Sequence, residues 1–496
     1  MRSIKTIKFI SLITGPFVVG NLLLACLADR NGIKAEQPKP KNRQPFLWDK
    51  DAYWNALEEK FLKIRQENCE NNDENIFIHI ENLNKYLAKI DAVKLGPGAV
   101  EFSDLAHMMF DVTPWISACN TGLNEYLAFA AKMRPVVKRQ SENWDMKSDT
   151  ARKTLYQLLY GARVAIEEMS IQAPPGLVPE LIRETDEPSV TPSAVVQDVR
   201  LHSGDLLLSR GGAPTSALIA RGNDFPGNFS HIAFVYIDPT SRKASIVEAR
   251  IETGLVVSTV EQYLEDKKLR IMLLRPRADL PQIVENPMLP HSAAEYAYKR
   301  AVSDHVKYDF SMNYRDHSKL FCSQVISEAY ERYGVNLWAG ISFMSSPGLR
   351  RWLALLGVKF FETQQPSDFE YDPQLRVVVE WRDPTTLKKD RSDNAVTVVM
   401  LEGAEKGDNI GYQWYLIPFS YLLKFSSVML NLAGRRGRIP EGMSAITALH
   451  VREYKRKHNA IGKRLAVKAE NFRKKFGYEA PYWKLLELAR EAKEEG

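Results

Sequence analysis

Apolar residues recur at helical spacing over 51–172: Trp54, Leu57, Phe61 and Ile64 fall on one face, and the same rhythm returns over 76–93, 115–133 and 154–169. This predicts a helical unit of about four helices at 46–172. Clustered prolines (Pro174, Pro175, Pro179, Pro188, Pro192) block helix interiors and central strands, so 173–198 is expected to be a linker. Beyond it, short alternating and apolar runs predict strands at 204–209, 231–237, 245–250 and 269–274, with a turn at 238–241. A short helix is expected at 214–221, and longer ones at 291–302 and 322–333. The last places Val325, Ile326, Ala329, Tyr330 and Tyr333 at helical spacing and is closed by Gly334. Strands surrounding helices in this order predict an α+β domain at 199–385.

The remaining third, 386–496, reads as a basic, partly amphipathic extension. Its stretch 414–432 is strongly apolar but interrupted by Pro418, Lys424 and Asn431, which favours a buried or interfacial segment over a membrane span. Arg435, Arg436 and Arg438 follow it. Farther on, Lys455, Arg456, Lys457, Lys463, Arg464 and Lys468 share a helical region with Ile461 and Leu465. Such a run is a solvated helix face or a contact for anionic lipid or another envelope polyanion.

At the other end, Arg2, Lys5 and Lys8 precede a mostly apolar run from Phe9 to Leu24, the pattern of an export signal. Leu23-Leu24-Ala25-Cys26 resembles a bacterial lipobox, although Leu24 is bulkier than usual at its position. The expectation is a signal peptide at 1–25, lipidation of Cys26 and a polar tether at 26–45; an ordinary signal peptide and an uncleaved anchor are the alternatives. Each leads to the bacterial cell envelope, with the lipid-anchored form facing the periplasm.

With 496 residues, 45% hydrophobic and 26% charged, the chain is long enough for two or three folded units. The formal charge of +6 includes the three basic residues of the leader, so charge and export together argue against a nucleic-acid partner. The four cysteines are Cys26, Cys69, Cys119 and Cys322. Cys69 and Cys119 are left as one disulfide or two separate buried thiols. Neither CxxC nor HExxH occurs, and His202, His231, His291, His305 and His317 lack ligand-like spacing, so no metal and no cofactor are expected.

Cys322 carries the candidate chemistry. At a helix start, unpaired N–H groups and the macrodipole favour a thiolate. Side chains alternate along a strand, so His231 shares a face with Ala233, and Glu248 shares one with Ile246 and Arg250. With the turn centred near Thr240, Glu248 lies opposite or diagonal to His231 and orients the imidazole; a slip of one residue turns it away, leaving a surface charge or a partner for Arg250. Asp205 and Tyr308 are candidate substrate-binding residues, with a turn and a core position as their ordinary roles.

Gly204-Asp205-Leu206, Ser230-His231-Ile232-Ala233, Val247-Glu248-Ala249, Tyr308-Asp309 and Phe321-Cys322-Ser323 occur in the order seen in the YaeF/YiiX-like permuted papain-like amidases, relatives of NlpC-type peptidases. The segment 199–335 resembles that family. The resemblance implies a circularly permuted papain-like (NlpC-type) fold carrying an added helical unit and a C-terminal extension. It also implies Cys322 as nucleophile, His231 as base and Glu248 as the third polar residue.

The expected activity is thiol-dependent hydrolysis of an envelope amide, such as a peptidoglycan stem-peptide bond, through an acyl-enzyme. Permuted members of the wider superfamily resemble lecithin retinol acyltransferase, so a lipid acyl ester or thioester is the alternative substrate. A non-catalytic binding lipoprotein is the second alternative. The expected partners are the envelope substrate and the membrane, reached through the lipid anchor and the basic C-terminal region; the oligomeric state is left open.

Overall fold

Seven strands, each a short apolar or β-branched run bounded by turn residues, form one antiparallel sheet: β1 (Leu181–Arg183), β2 (Leu206–Gly211), β3 (His231–Ile237), β4 (Ala244–Arg250), β5 (Gly254–Thr259), β6 (Lys268–Pro276) and β7 (Leu375–Arg382). Their spatial order is β1-β7-β6-β2-β3-β4-β5. The computed structural model describes residues 52–67, 69, 73–174, 176–338, 342–382, 384–433 and 435–496. The expected leader, lipidation site and tether lie outside these residues.

Strand alternation gives the sheet two apolar faces. Leu206, Leu208, Phe234, Val247 and Met272 pack against helices Leu289–Ser303 and Cys322–Glu331. On the reverse face, Leu207, Val235, Ile246 and Leu273 meet Val260 and Tyr263 of helix Val260–Glu265. This is an α+β arrangement, and it seats the Cys322 helix against β3.

Two expectations change. The segment 173–198 is more than a linker: β1 pairs with β7 at the sheet edge, and Ser193–Val196 pairs with Val199–His202. Pro179, Pro188 and Pro192 flank these strands without occupying them, so the ladder loses no donor. The amino-terminal unit also has more helices than four: Ala52–Gln66, Asp73–Asp91, Val100–Asp111, Thr113–Cys119, Leu123–Gln140, Asp149–Leu155 and Gly161–Gln172. The single helix expected over 115–133 breaks where Asn120 (φ 55°) and Gly122 (φ 82°) turn left-handed. A Cβ on Gly122 would stand 2.7 Å from Ile76 Cγ2, so this close approach requires glycine. Cys69 and Cys119 form a disulfide, and Cys322 is a free, buried thiol.

The C-terminal third consists of helices Pro384–Glu405, Ile417–Leu432, Ala445–Phe476 and Tyr482–Glu494. It shares a core with the amino-terminal helices rather than trailing as an appendage. Trp54 packs on Trp483 with ring centroids 5.4 Å apart, and Trp483 Nε1 donates to Glu58 at 3.0 Å. Buried charges also join the parts: Arg270 of β6 pairs with Glu167 at 2.8 Å and with Asp390, while Arg163 pairs with Glu370 and Glu380. Among the described residues, no helix is long and apolar enough to cross a membrane.

Candidate active site

Cys322 is the first residue of its helix, preceded by extended Phe321 (φ −99°, ψ 170°). Buried Val325, Ile326 and Ala329 fix the later turns against the sheet, and Tyr330 donates to the Gly204 carbonyl at 2.7 Å. Gln324 Nε2 donates to the carbonyls of Tyr314 (3.2 Å) and Asp316 (3.0 Å), pinning the loop that leads into the helix. The sulfur is thereby held where the helix offers N–H groups that no preceding turn uses.

The β3–β4 register settles the position of Glu248. Phe234 pairs with Val247 and Val235 with Ile246, which centres the turn at residues 240–241. Continued one step, this register sets Glu248 opposite Ala233 and diagonal to His231. His231 Nε2 meets Glu248 Oε2 at 2.7 Å. Glu248 Oε1 accepts from Arg250 Nε at 2.8 Å and from the Ser258 hydroxyl at 3.1 Å. Only 2% exposed, Glu248 therefore orients His231 and partners Arg250 together. With Nε2 on Glu248, Nδ1 is the nitrogen left for the Cys322 thiol, which hydrogen-bonds the ring.

These contacts reverse what burial alone would do. Burial disfavours the imidazolium, but the hydrogen bonds to Cys322 and Glu248 and their charges raise His231 to about 9. Burial likewise disfavours the Cys322 thiolate; His231, the Ile232 N–H and the Ser323 hydroxyl outweigh it and lower the thiol below its ordinary value. Glu248, although desolvated, is held at about 2 by His231 and Arg250. The trio thus favours a thiolate–imidazolium pair backed by a permanent carboxylate.

The two candidate binding residues part company. Tyr308 bridges Leu320 in parallel and lines the cavity in front of Cys322, its phenol kept protonated by burial and by the neighbouring thiol. Asp205 does not reach that cavity. It is 1% exposed, pairs with Arg275 Nε at 2.8 Å and accepts the His202 N–H at 2.7 Å, which makes it a buried clamp between β2 and β6.

The cavity has a volume of about 470 Å³, within the range of small-molecule sites. Leu218, Ile219, Met344, Leu353, Leu356 and Val358 give it apolar walls, and Ile439, Met443 and Val451 close it from the C-terminal third. Arg438, Arg452 and Lys455 also line it and are exposed, so they stand at its mouth; among the described residues, Glu252 is the only carboxylate in the lining. Among the described residues, none from the amino-terminal helices lines it. Access is shaped by 438–455 instead, whose apolar signal, Ala448 and Val451 at helical spacing between basic residues, is weak in the sequence. Ser258 carries no signal of its own in the sequence, since its strand β5 shows only the short Val256-Val257 run.

A buried thiol at a helix start, a strand histidine beside it and a carboxylate on that histidine form an arrangement like that of a papain-like site, here with the histidine preceding the cysteine in the chain. Residues 200–379 match the model of a family described as permuted papain-like amidase enzymes, YaeF/YiiX, C92 family, so this part of the chain is a permuted papain-like domain. No curated protein and no solved structure matches the chain.

Proposed function

We propose that the protein is a cysteine-dependent acyl hydrolase whose substrate carries a long apolar acyl group in amide or ester linkage to an anionic leaving group. The apolar cavity opening on Cys322 carries this reading, since an alkyl chain buried there leaves water without stranding polar groups. Arg438, Arg452 and Lys455 at the mouth favour a negatively charged head. A peptidoglycan stem peptide, rich in polar and charged groups, would desolvate them against these walls and is the weaker candidate.

In the first half-reaction the Cys322 thiolate attacks the carbonyl carbon, and the negative charge passes to the carbonyl oxygen within reach of the Cys322 backbone N–H. The tetrahedral species collapses to a thioester as the His231 imidazolium gives its proton to the departing nitrogen or oxygen. In the second, neutral His231 takes a proton from water as the water attacks the thioester, releasing a carboxylic acid and restoring the pair. Glu248 holds the ring and its charge throughout.

We also propose envelope anchoring through Cys26, supported by Leu23-Leu24-Ala25-Cys26 after an apolar run. Incubation with envelope lipid and peptidoglycan extracts, followed by intact and peptide mass spectrometry, tests the acyl reading. The expected result is a fatty-acyl mass on Cys322. A peptide-derived adduct there would overturn the substrate class, and an unmodified Cys322 under conditions of measured turnover would overturn the mechanism. An amino-terminal peptide beginning at an unmodified residue would reject lipidation at Cys26.

A further inference from the structure

Helix Ile417–Leu432 is turned inside out. Three of its polar residues face the protein and are satisfied there, while Ser426 is exposed: Lys424 Nζ donates to the carbonyls of Pro440 (2.8 Å) and Glu441 (2.9 Å), the Ser427 hydroxyl accepts the Ile439 N–H at 2.9 Å, and Asn431 Oδ1 accepts the Gly437 N–H at 2.9 Å. Phe419, Leu422, Phe425, Met429 and Leu432 occupy the opposite half and point outward, Phe425 at 67% and Leu432 at 79% exposure. Trp414, 77% exposed, extends this face just before the helix. In a water-soluble helix packed on a core the two halves would be exchanged. A continuous apolar strip of this kind marks a surface that meets something apolar.

Charge and length select the occupant. Between Asp408 and Glu441 the chain has no acidic residue, while Lys424, Arg435, Arg436 and Arg438 are basic, and the three arginines are exposed beside the end of the helix. The 16-residue helix is about 24 Å long at ~1.5 Å per residue, shorter than the ~30 Å hydrocarbon core of a bilayer. Such an element lies in the interface, with aromatic residues such as Trp414 at headgroup level and cations near anionic lipid. The segment that satisfies its polar half, 437–441, also supplies Arg438, Ile439 and Pro440 to the cavity in front of Cys322.

We propose that the outward face of Ile417–Leu432, with Trp414 and the arginines that follow it, docks on an anionic lipid surface and sets the cavity mouth beside the lipid. The docking rests on this helix and its charge, independently of the acyl-transfer reading. Delivery of a lipid substrate depends on both.

The full chain is mixed with phosphatidylcholine vesicles with and without phosphatidylglycerol, the acyl chains brominated to quench nearby tryptophans. The chain has nine tryptophans, so the readout is the part of the quenching that Trp414→Phe removes, which a second anchor elsewhere does not obscure. Quenching is expected to be stronger with phosphatidylglycerol, to weaken in high salt and to be largely lost in Trp414→Phe. Phe425→Asp should raise the lipid concentration needed for half-maximal Trp414 quenching at least tenfold. Equal quenching of the parent and Trp414→Phe would overturn the docking, as it would if the amino-terminal segment of the chain covered this face. A lipid-free dimer in sedimentation that Phe425→Asp dissociates would assign the face to a second copy and overturn it as well. Iodoacetamide labelling of Cys322 without vesicles should be unchanged in Phe425→Asp, which separates docking from the catalytic reading. If that substitution slows labelling, Leu432→Asp, at the most exposed position of the face, replaces it in the same assay, and undiminished quenching then overturns the proposal.

Discussion

At the scale of single residues, the site depends on how His231 divides its two nitrogens. With Nε2 bound to Glu248 at 2.7 Å, Nδ1 is left to act on Cys322, and each partner stabilises the charged form of the other. The sign of the pH dependence follows. An ordinary thiol of pKa about 8.5 loses alkylation rate about tenfold per unit as pH falls below that value. Because Cys322 is lowered, its iodoacetamide rate should fall less steeply from pH 8 to pH 7 than that of an ordinary thiol, whereas His231→Ala should restore the ordinary fall. Equal pH profiles in the two proteins would remove His231 as the activating group. Amide turnover has a second limit: the leaving nitrogen needs the imidazolium proton, so activity should decline as pH rises through about 9. Removing the carboxylate charge lowers the His231 pKa, so Glu248→Gln should move this alkaline limb to lower pH. It should also reduce turnover less than His231→Ala, whose expected loss is ~10²–10⁴-fold. An unmoved limb in Glu248→Gln would make Glu248 a structural partner of Arg250 alone.

At the scale of elements, much of the site could be read in advance because it is local. Alternation along 231–237 and 245–250 with one turn between them narrows the register to a choice set by the turn, and the turn centred at 240–241 carries Glu248 to the diagonal of His231. The helix start at Cys322 was equally legible, since Val325, Ile326 and Ala329 require the later turns to be buried. Asp205 illustrates the limit: its place before an apolar strand is visible, but its partner Arg275 stands 70 residues away, across a sheet pairing that no local pattern encodes. The cavity wall from 438–455 was hidden for the same reason. Spacing cannot decide whether Cys69 meets Cys119; the helices between them bring the two together. Closing a loop of sequence separation 50 is worth about 4 kcal/mol in the chain-entropy account. Cys69→Ser is therefore expected to lower the urea midpoint of unfolding substantially while leaving the labelling rate of Cys322 unchanged in the folded protein. Unaltered stability would show that packing alone closes the loop, and slowed labelling would mean the bond also supports the site.

At the scale of the whole molecule, the family domain is held by parts that lie outside the family match. Arg210 and Arg270, both essentially without solvent exposure and contributed by β2 and β6, are neutralised by Asp390 of helix Pro384–Glu405; Arg270 also reaches Glu167 in the amino-terminal helices. A buried pair is weak evidence of net stabilisation, but removing one partner strands a charge in a low-dielectric interior at a cost of about 3–5 kcal/mol. Asp390→Ala leaves two arginines short of a carboxylate in the middle of the assembly, so the sheet and the helices on either side of it should lose stability together. Calorimetry should then show one unfolding transition for the described fold, displaced to lower temperature by Asp390→Ala. Trp483→Ala, which removes the contact with Trp54 far from the sheet, should displace the same transition. Two transitions, with Asp390→Ala moving one and Trp483→Ala the other, would show that the family domain and its helical surroundings fold independently. With a single transition, loss of the C-terminal helices would remove the cavity wall and destabilise the strand that carries His231 at the same time, which ties the cavity to the integrity of the Cys322–His231 pair.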